Sequence, residues 1–247
     1  MPSFDNFKRF CVSSTDFVYH TLQNYKNRET FWDIKDDGTR VTEVDFFIED
    51  KLREQISKSY PNHGISGEER DSINPNADYV WVLDPIDGTF GFSKGVPLFG
   101  TLIGLTYRGQ PKYGFLRLPM INNTWLAGDC IQTCLDGKLL RNKPFLGWTN
   151  SLILTTDQET LRKSTISKYW QKAIKLGATA RTWGDCYGYY LLCIGEADMV
   201  VDTGLKPYDI IPLIPILLGA GMEVNQLGGK NFSEIMTGRK EVLGSLV

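Results

Sequence analysis

Residues 81 to 89 are Trp81-Val82-Leu83-Asp84-Pro85-Ile86-Asp87-Gly88-Thr89, in which an apolar run stops at two carboxylates. The run from Tyr79 to Leu83 is continuous and rich in residues that favour β-structure, which is typical of a central strand buried on both faces. Pro85 has no N–H to donate and keeps the preceding residue extended, so we expect the strand to end at Asp84. The sequence therefore predicts a buried strand with a carboxylate at its tip.

The residues after this strand predict a turn into a short helix. Gly88 can adopt backbone angles that other residues avoid, and Thr89 is placed to begin a helix that ends near Lys94. Free N–H groups at a helix start attract anions, whereas the carboxylates of Asp84 and Asp87 attract cations. One loop can therefore bind a divalent cation and a phosphate side by side.

An Asp-Pro-x-Asp-Gly segment also occurs in other settings. A solvent-exposed turn favours the same residues, but it does not need a buried apolar strand leading into it. An EF-hand alternates its acidic ligands and ends in a Glu at the twelfth position, which here is Gly95. A phosphorylated-aspartate motif spaces its acids by two positions, whereas Asp87 is three positions after Asp84. On local sequence alone the turn remains an alternative.

Acidic residues after other predicted elements are candidates for the same site. Glu68 and Glu69 follow a predicted strand near residues 64–66. Asp45 lies in the first turn of a predicted helix that has Thr42 as its N-cap. An Asp in a first turn also stabilises the helix dipole, so local sequence leaves both a structural and a functional role open for Asp45.

Hydrophobic periodicity predicts a mixture of helices and strands without strict β-α-β alternation. The predicted helices cover residues 3–25, 42–58, 159–175 and 185–193. The predicted strands lie near residues 64–66, 79–83, 98–107, 112–117, 124–127, 151–155, 178–182 and 198–202, with a hairpin turn at Asp136-Gly137. After Asp209, Pro215 is expected to kink or break a helix, whereas Pro212 falls in its first turn.

Several segments around the candidate acids share the order and spacing of a known superfamily. They are Val41-Thr42-Glu43-Val44-Asp45, Gly67-Glu68-Glu69, Asp84-Pro85-Ile86-Asp87-Gly88-Thr89, and Pro207-Tyr208-Asp209 followed by Gly219-Ala220-Gly221. Over nearly its whole length the chain resembles the inositol monophosphatase superfamily. Further segments resemble its histidinol-phosphate phosphatase branch: Pro97-Leu98-Phe99-Gly100-Thr101-Leu102-Ile103, Arg181-Thr182-Trp183-Gly184-Asp185-Cys186-Tyr187-Gly188-Tyr189, and Gly204-Leu205-Lys206-Pro207-Tyr208-Asp209.

This resemblance implies a fold and a reaction. The fold is a mixed α/β (α+β) protein built as a layered α-β-α-β-α sandwich. The reaction is hydrolysis of a small-molecule phosphate monoester by a metal-activated water, with about two to three Mg²⁺ ions per site. The implied substrate is L-histidinol phosphate, giving L-histidinol and phosphate in histidine biosynthesis, with inositol 1-phosphate as the alternative. The resemblance also implies a homodimer.

The resemblance assigns roles to matching residues. The metal ligands would be Glu68, Asp84, the Ile86 carbonyl, Asp87 and Asp209, all of which offer the hard oxygen atoms that Mg²⁺ prefers. The catalytic residues would be Asp45 and Thr89, which position and deprotonate the attacking water, and Glu69, which orients its neighbours. A protein that keeps this fold and only binds metal or phosphate is the alternative, but it would not need Asp45 and Thr89.

The substrate-binding residues that the resemblance implies come from both halves of the chain. A carboxylate of Asp185 or Asp202 can pair with the ammonium group of histidinol phosphate, whereas the neutral inositol ring needs hydroxyl hydrogen bonds. Each acid also has a structural interpretation, Asp185 as a helix N-cap and Asp202 as the start of a loop. The complete implied set is Gly88, Thr89, Arg181, Gly184, Asp185, Asp202 and Asp209.

The composition favours one compact domain over residues 1–247, because 42% of its residues are hydrophobic and no linker divides it. We expect a metal-site half over about residues 1–145 and a substrate-specificity half over about residues 146–247. The net charge is −2, and setting aside the six proposed site acids leaves 23 acids against 27 bases, so an anionic substrate meets no large repulsive field. No basic cluster indicates a nucleic-acid partner.

The cysteines and histidines argue against zinc and disulfides. The five cysteines form no Cys-x-x-Cys pair, and only two histidines are present. Scattered cysteines are typical of reduced thiols, so we expect a cytoplasmic protein. The amphipathic N-terminal helix is too polar for a signal peptide, and no apolar run predicts a membrane span.

Overall fold

Two β-sheets form the framework of the protein in a computed structural model that describes residues 2–25, 32–34, 40–141, 143–227 and 233–247. The strands are β1 Trp32–Ile34, β2 Arg40–Thr42, β3 Gly64–Gly67, β4 Tyr79–Asp87, β5 Gly100–Tyr107, β6 Gln110–Leu118, β7 Thr124–Gly128, β8 Thr133–Leu135, β9 Lys138–Leu139, β10 Leu152–Leu154, β11 Thr179–Arg181, β12 Met199–Thr203, β13 Glu223–Gln226 and β14 Glu234–Gly238. The seven-stranded sheet has the order β3-β4-β5-β6-β7-β8-β9, and the five-stranded sheet has the order β11-β10-β12-β14-β13. A separate hairpin pairs β1 with β2.

The helices complete a layered structure. They are α1 Phe4–Ser14, α2 Asp16–Tyr25, α3 Glu43–Ser59, α4 Thr89–Ser93, α5 Gln158–Lys163, α6 Ser167–Lys175, α7 Asp185–Cys193, α8 Pro207–Ile210, α9 Leu213–Gly219 and α10 Lys240–Gly244. None of the helices in the described segments is both long and apolar enough to cross a bilayer.

Three apolar clusters bury the faces of these layers. The first packs α1 and α3 on one face of the seven-stranded sheet, where Ile48 and Trp81 are fully buried. The second packs α7 and α9 between that sheet and the five-stranded sheet, and it includes Leu116 and Ile216. The third packs α5, α6 and α10 on the outer face of the five-stranded sheet, around Trp170. The layers therefore follow the order α-β-α-β-α, which confirms the fold predicted from the sequence.

The division predicted near residue 145 falls between the two sheets, because β9 ends at Leu139 and β10 begins at Leu152. Asp209 nevertheless belongs to the second half and completes the acidic cluster of the first. The assignment of separate tasks to the two halves therefore stays a prediction.

The prediction that the first long strand ends at Asp84 is wrong. β4 continues through Pro85 to Asp87, and its register with β5 shifts between Asp84 and Asp87. Such an irregularity accommodates a proline within a sheet, because a residue left out of the ladder needs no N–H. The Thr101 hydroxyl on β5 donates a hydrogen bond to the Pro85 carbonyl over 2.8 Å. The irregular segment from Asp84 to Asp87 is thus attached to β5 on both sides of the proline.

Two predicted helices are each divided in the structure. The predicted helix over 3–25 separates into α1 and α2 at Thr15, whose hydroxyl donates to the Cys11 carbonyl over 2.7 Å. The predicted helix over 159–175 separates into α5 and α6 after Ser164, which has an extended backbone and whose hydroxyl bonds the Leu161 carbonyl. At both divisions a hydroxyl side chain bonds a helix carbonyl, an interaction that favours bends and helix ends.

The break after Asp209 lies at Pro212 and not at Pro215. α8 ends at Ile210 and α9 begins at Leu213, so Pro215 occupies the first turn of α9, where a missing N–H costs little. The prediction of a kink at Pro215 is therefore wrong. Pro215, and not Pro212, is the proline that lies within the first turn of a helix.

A row of glycines explains how α9 comes close to the seven-stranded sheet. Gly104, Gly114 and Gly128 are register partners on three adjacent strands. A Cβ on Gly114 would lie 1.9 Å from the Pro212 carbonyl oxygen, and one on Gly128 would lie 2.5 Å from the Ile216 Cα. Any side chain in this row would push the helices away from the sheet. The glycines therefore help to set the position of α8, which carries Asp209.

Candidate active site

Three carboxylates that are distant in sequence converge at the end of β4. Asp84 and Asp87 come from β4, and Asp209 comes from the first turn of α8. One oxygen of each lies within 4.8 Å of the others, so the three could hold a metal ion. The Lys206 backbone N–H donates to Asp209 Oδ2 over 2.7 Å and fixes that side chain at the helix start.

The described residues whose charges shift the pKa of Asp84 are all acidic, and none of them is a cation. Burial raises the pKa of Asp84 well above its usual value, and the carboxylates of Glu68, Asp87, Asp209 and Asp45 raise it further. Asp84 Oδ1 is buried and has no hydrogen-bond partner within the described part of the chain. Clustered oxygen donors with an unpartnered buried oxygen fit a hard divalent cation, which would satisfy both the charge and the open lone pairs.

The start of helix α7 contacts Asp87. The Cys186 backbone N–H donates to Asp87 Oδ2, and the buried Cys186 thiol lies 3.7 Å from the Asp87 carbonyl oxygen. Burial raises the pKa of Asp87, and the charges of Asp185 and Asp209 raise it further. One carboxylate of the acidic cluster therefore contacts the start of α7, where Asp185 lies.

We expect the metal-free protein to lose stability as the pH rises from about 4 to above 7. Burial, with the charges of Glu68 and Asp185, raises the pKa of Asp209 to about 7, and burial with Asp202 raises that of Asp185 to about 7, from the usual 3.8. The folded state therefore holds protons that the unfolded chain releases. This stabilisation is complete below about pH 4 and is lost as the pH rises through about 7. Thermal unfolding in EDTA at about pH 5.5 and pH 8.5 measures it.

The matched control for this pH dependence is the Asp185→Asn/Asp209→Asn variant, in which the slope of Tm with pH should be smaller. Mg²⁺ added at the higher pH should raise the Tm of the unmodified protein, because a ligand that binds only the folded state stabilises it. An equal slope in both proteins would contradict the electrostatic interpretation.

The loop that carries Glu68 is held by a buried ion pair that the sequence analysis missed. Arg53 Nε donates to Glu49 Oε1 over 2.7 Å, and the Glu69 backbone N–H donates to Glu49 Oε2 over 2.8 Å. Arg53 also donates to the carbonyls of Arg70 and Asp71. An i,i+4 acid and base pair on the predicted helix is visible in the sequence, but its burial is not.

Gly67 makes this arrangement possible. A Cβ at that position would lie 2.1 Å from Glu49 Oε1, so a larger residue would displace this carboxylate from Arg53 and the Glu69 N–H. The Glu68 N–H bonds the Leu83 carbonyl on β4 over 3.1 Å. Glu49 and Arg53 therefore fix the backbone on which Glu68 is presented to the acidic cluster.

Glu49→Gln should destabilise the protein by about 3 kcal/mol, because it leaves the buried Arg53 without its counter-charge. It should also increase the Mg²⁺ concentration needed for half-maximal activity, since the Glu68 loop loses its support. Glu54→Gln is the matched control on the same helix, where an exposed pair with Lys51 is removed. Urea unfolding and metal titration measure both effects, and equal behaviour of the two variants would contradict the role given to Glu49.

Asp45 and Thr89, the proposed water activators, lie at the starts of α3 and α4. The Thr42 hydroxyl oxygen accepts from the Val44 N–H over 3.2 Å, which confirms the predicted N-cap, and the Thr42 backbone N–H donates to Asp45 Oδ2 over 2.8 Å. Asp45 is fully buried. The Thr89 hydroxyl donates to the Ile86 carbonyl over 2.7 Å, and Gly88 has a φ of 92°, so the predicted turn and short helix are confirmed.

A cavity of about 1020 Å³ opens beside the acidic cluster. One wall is formed by the end of β4 and by α4, and the opposite wall by α5 and the start of α7. Exposed aromatic residues lie at its mouth, since Phe90 is 65% exposed and Trp183 is 43% exposed. The sequence-predicted residues that line it are Glu68, Asp84, Ile86, Asp87, Gly88, Thr89, Gly184, Asp185 and Asp209.

Four other predicted site residues lie outside this lining. Asp45 is buried at the start of α3, and Glu69 is half-buried on the loop held by Glu49. Arg181 is exposed, and its Nη1 donates to the neighbouring Ala180 carbonyl. Asp202 is fully buried on β12, behind the wall.

The comparisons with known proteins agree with this geometry. The model of the inositol monophosphatase family matches residues 17–245. The chain is 36% identical over 201 residues to the chloroplastic bifunctional phosphatase IMPL2 of Arabidopsis thaliana, covering 80% of this chain and 58% of that relative. It is 32% identical over 202 residues to a histidinol-phosphatase of Chlorobaculum parvum, covering 81% of this chain and 78% of that relative.

A solved structure gives the same result. An inositol monophosphatase from Zymomonas mobilis superimposes with a TM-score of 0.80 at 28% identity, over 100% of this chain and 98% of that chain. The chain therefore belongs to the inositol monophosphatase family, whose members are metal-dependent phosphatases.

Proposed function

We propose that the protein is a Mg²⁺-dependent phosphomonoesterase that hydrolyses L-histidinol phosphate to L-histidinol and phosphate. The observation that carries this proposal is the cavity in which Asp84, Asp87 and Asp209 face a wall bearing Asp185 and Trp183. Similarity to a histidinol-phosphatase over 81% of the chain supports it. The same similarity supports a role in histidine biosynthesis.

The proposed metal ligands are the carboxylates of Glu68, Asp84, Asp87 and Asp209 together with the Ile86 carbonyl. Their donors are all oxygen atoms, which suits Mg²⁺ better than softer cations. When bound, Mg²⁺ supplies charge neutralisation for the phosphate oxygens and lowers the pKa of water. About two to three ions per site and a homodimer stay predictions, which metal analysis and light scattering can measure.

The remaining groups of the loop bind phosphate and direct the proton. The N–H groups of Gly88 and Thr89 are proposed to hold the phosphate oxygens at the start of α4. The Thr89 hydroxyl orients the attacking water, and the buried Asp45 carboxylate receives its proton. Glu69 keeps its place on the loop supported by Glu49. The chain's own part in catalysis is therefore positioning and proton transfer, with no covalent nucleophile.

The opposite wall favours a leaving group that carries a positive charge. The Asp185 carboxyl lines the cavity and makes no ion pair with any described residue. Burial and the charge of Asp202 disfavour the ionised form of Asp185, and a substrate ammonium group beside it would stabilise that form. The half-exposed Trp183 ring offers a flat surface for an imidazole. Inositol 1-phosphate, the alternative, would present only hydroxyl groups to this wall.

A phosphate-release panel tests the proposal. It contains histidinol phosphate, inositol 1-phosphate, a nucleotide 3′-phosphate and fructose 1,6-bisphosphate, each with Mg²⁺ and with EDTA. We expect the kcat/KM for histidinol phosphate to exceed the others by at least about tenfold, and EDTA to abolish release. A preference for inositol 1-phosphate would establish the alternative substrate. Release from none of them would leave a non-catalytic metal- or phosphate-binding relative.

A further inference from the structure

Thr156 connects the two elements that build the leaving-group wall. It follows β10 and lines the cavity. Its backbone N–H donates to Asp202 Oδ1 over 2.6 Å, and its hydroxyl oxygen accepts a hydrogen bond from the Asp185 backbone N–H over 2.8 Å. One threonine therefore joins the carboxylate of β12 to the first residue of α7.

The backbone of Asp185 needs such support. Its φ is 49°, in the left-handed region that few residues other than glycine occupy. Gly184 packs so closely on Thr156 that a Cβ there would lie 2.2 Å from the Thr156 Cα. The next residue, Cys186, donates its N–H to the metal-site carboxylate of Asp87. The conformation of Asp185 thus aims its carboxyl at the cavity and keeps α7 on the metal site.

Asp202 lies on the side of Thr156 that faces away from the cavity. It is fully buried and does not line the cavity. Oδ1 accepts from the Thr156 N–H and, over 3.4 Å, from the Thr155 hydroxyl. A substrate in the cavity meets Thr156 and Asp185 before it could meet Asp202.

We infer that Thr156 and Asp202 are positioning residues, which select the leaving group by holding Asp185 in its left-handed conformation. The inference rests on the proposed function, because it assigns Asp185 to the leaving group of that reaction. Asp202 then acts on the substrate without touching it, through its hydrogen bond to Thr156 and through its charge beside Asp185. The Thr156 hydroxyl is the acceptor on which the selection depends.

The first test compares Thr156→Val with Thr156→Ser. Valine keeps the branched shape and removes the acceptor for the Asp185 N–H, whereas serine keeps the acceptor. We expect Thr156→Val to lower kcat/KM for histidinol phosphate by about tenfold more than for p-nitrophenyl phosphate, whose leaving group has no cation. The loss should lie mainly in KM, and Thr156→Ser should restore it. Equal losses for both substrates, or no recovery with serine, would overturn the inference.

The second test separates positioning from direct contact at Asp202. Asp202→Asn keeps an oxygen acceptor for the Thr156 N–H and removes the negative charge. We expect kcat/KM for histidinol phosphate to stay within about threefold of the unmodified protein, whereas Asp185→Asn should lose at least about thirtyfold, mainly in KM. A loss in Asp202→Asn as large as that in Asp185→Asn would mean that Asp202 pairs with the substrate, and the inference would be wrong.

Failure of the proposed substrate can be told apart from failure of this inference. If the unmodified protein prefers another phosphate ester in the panel, the proposed function is wrong. The Thr156 variants are then compared on that ester against p-nitrophenyl phosphate, since the geometry around Asp185 does not depend on the identity of the substrate. A change in the ratio that serine reverses would support the positioning role, and an unchanged ratio would overturn it.

Discussion

Asp84→Asn is expected to reduce kcat/KM by at least about a thousandfold while the protein stays folded. Asp84 is buried at the centre of the acidic cluster, and the neighbouring carboxylates raise its pKa together with burial. The amide keeps the size of the side chain but removes the charge that attracts the cation. The stabilisation that we expect Mg²⁺ to give to the unmodified protein should disappear in the variant.

The fold of this variant has its own expected result. In EDTA at about pH 8, removing one of several mutually repelling charges should leave the Tm at or above that of the unmodified protein. Asp78→Asn is the matched control, because it removes an exposed carboxylate that pairs with Arg108. Activity near that of the control would exclude Asp84 as a metal ligand.

Thr89→Ala is expected to lower kcat by about 100-fold to 1000-fold while inorganic phosphate binds with nearly unchanged affinity. The hydroxyl donates a hydrogen bond to the Ile86 carbonyl at the start of α4, and we propose that it orients the attacking water there. The backbone N–H that is proposed to hold phosphate is present in alanine as well. Steady-state kinetics and competitive inhibition by phosphate measure the two effects separately.

Thr89→Ser serves as the matched control, because it restores the hydroxyl without the methyl group. It should recover most of the lost rate. If phosphate binding collapsed in Thr89→Ala while the rate per bound substrate held, the hydroxyl would have a binding role and not the assigned one.

Much of the local structure near the candidate site could be predicted from short segments. Thr42 and Asp45 cap α3 through contacts within one helical turn. Gly88 takes its positive φ and Thr89 begins α4 because glycine tolerates that conformation and the following residues can form a helix. These features depend on neighbours within about four residues, so sequence spacing is enough to find them.

Other features depend on contacts between distant segments. β4 continues through Pro85, where the Thr101 hydroxyl on the next strand donates a hydrogen bond to the Pro85 carbonyl. The helix break lies at Pro212, where a row of glycines lets that residue pack directly on the sheet. The sequence shows Glu49 four residues before Arg53, but it does not show that the Glu49 carboxylate is buried under Gly67. Thr156 follows a predicted strand, and its position at a strand end is the signal that could have indicated it.

The sequence by itself determined the chemistry that is available: a buried strand leading to Asp84 and Asp87, a glycine turn, and further acids in the order of a phosphatase family. Only the tertiary structure decided which acids meet. It brought Asp209 to the end of β4, while it buried Asp202 behind Thr156. The physical reason is that side-chain spacing within an element follows from backbone geometry, whereas the distance between elements follows from how closely their faces pack.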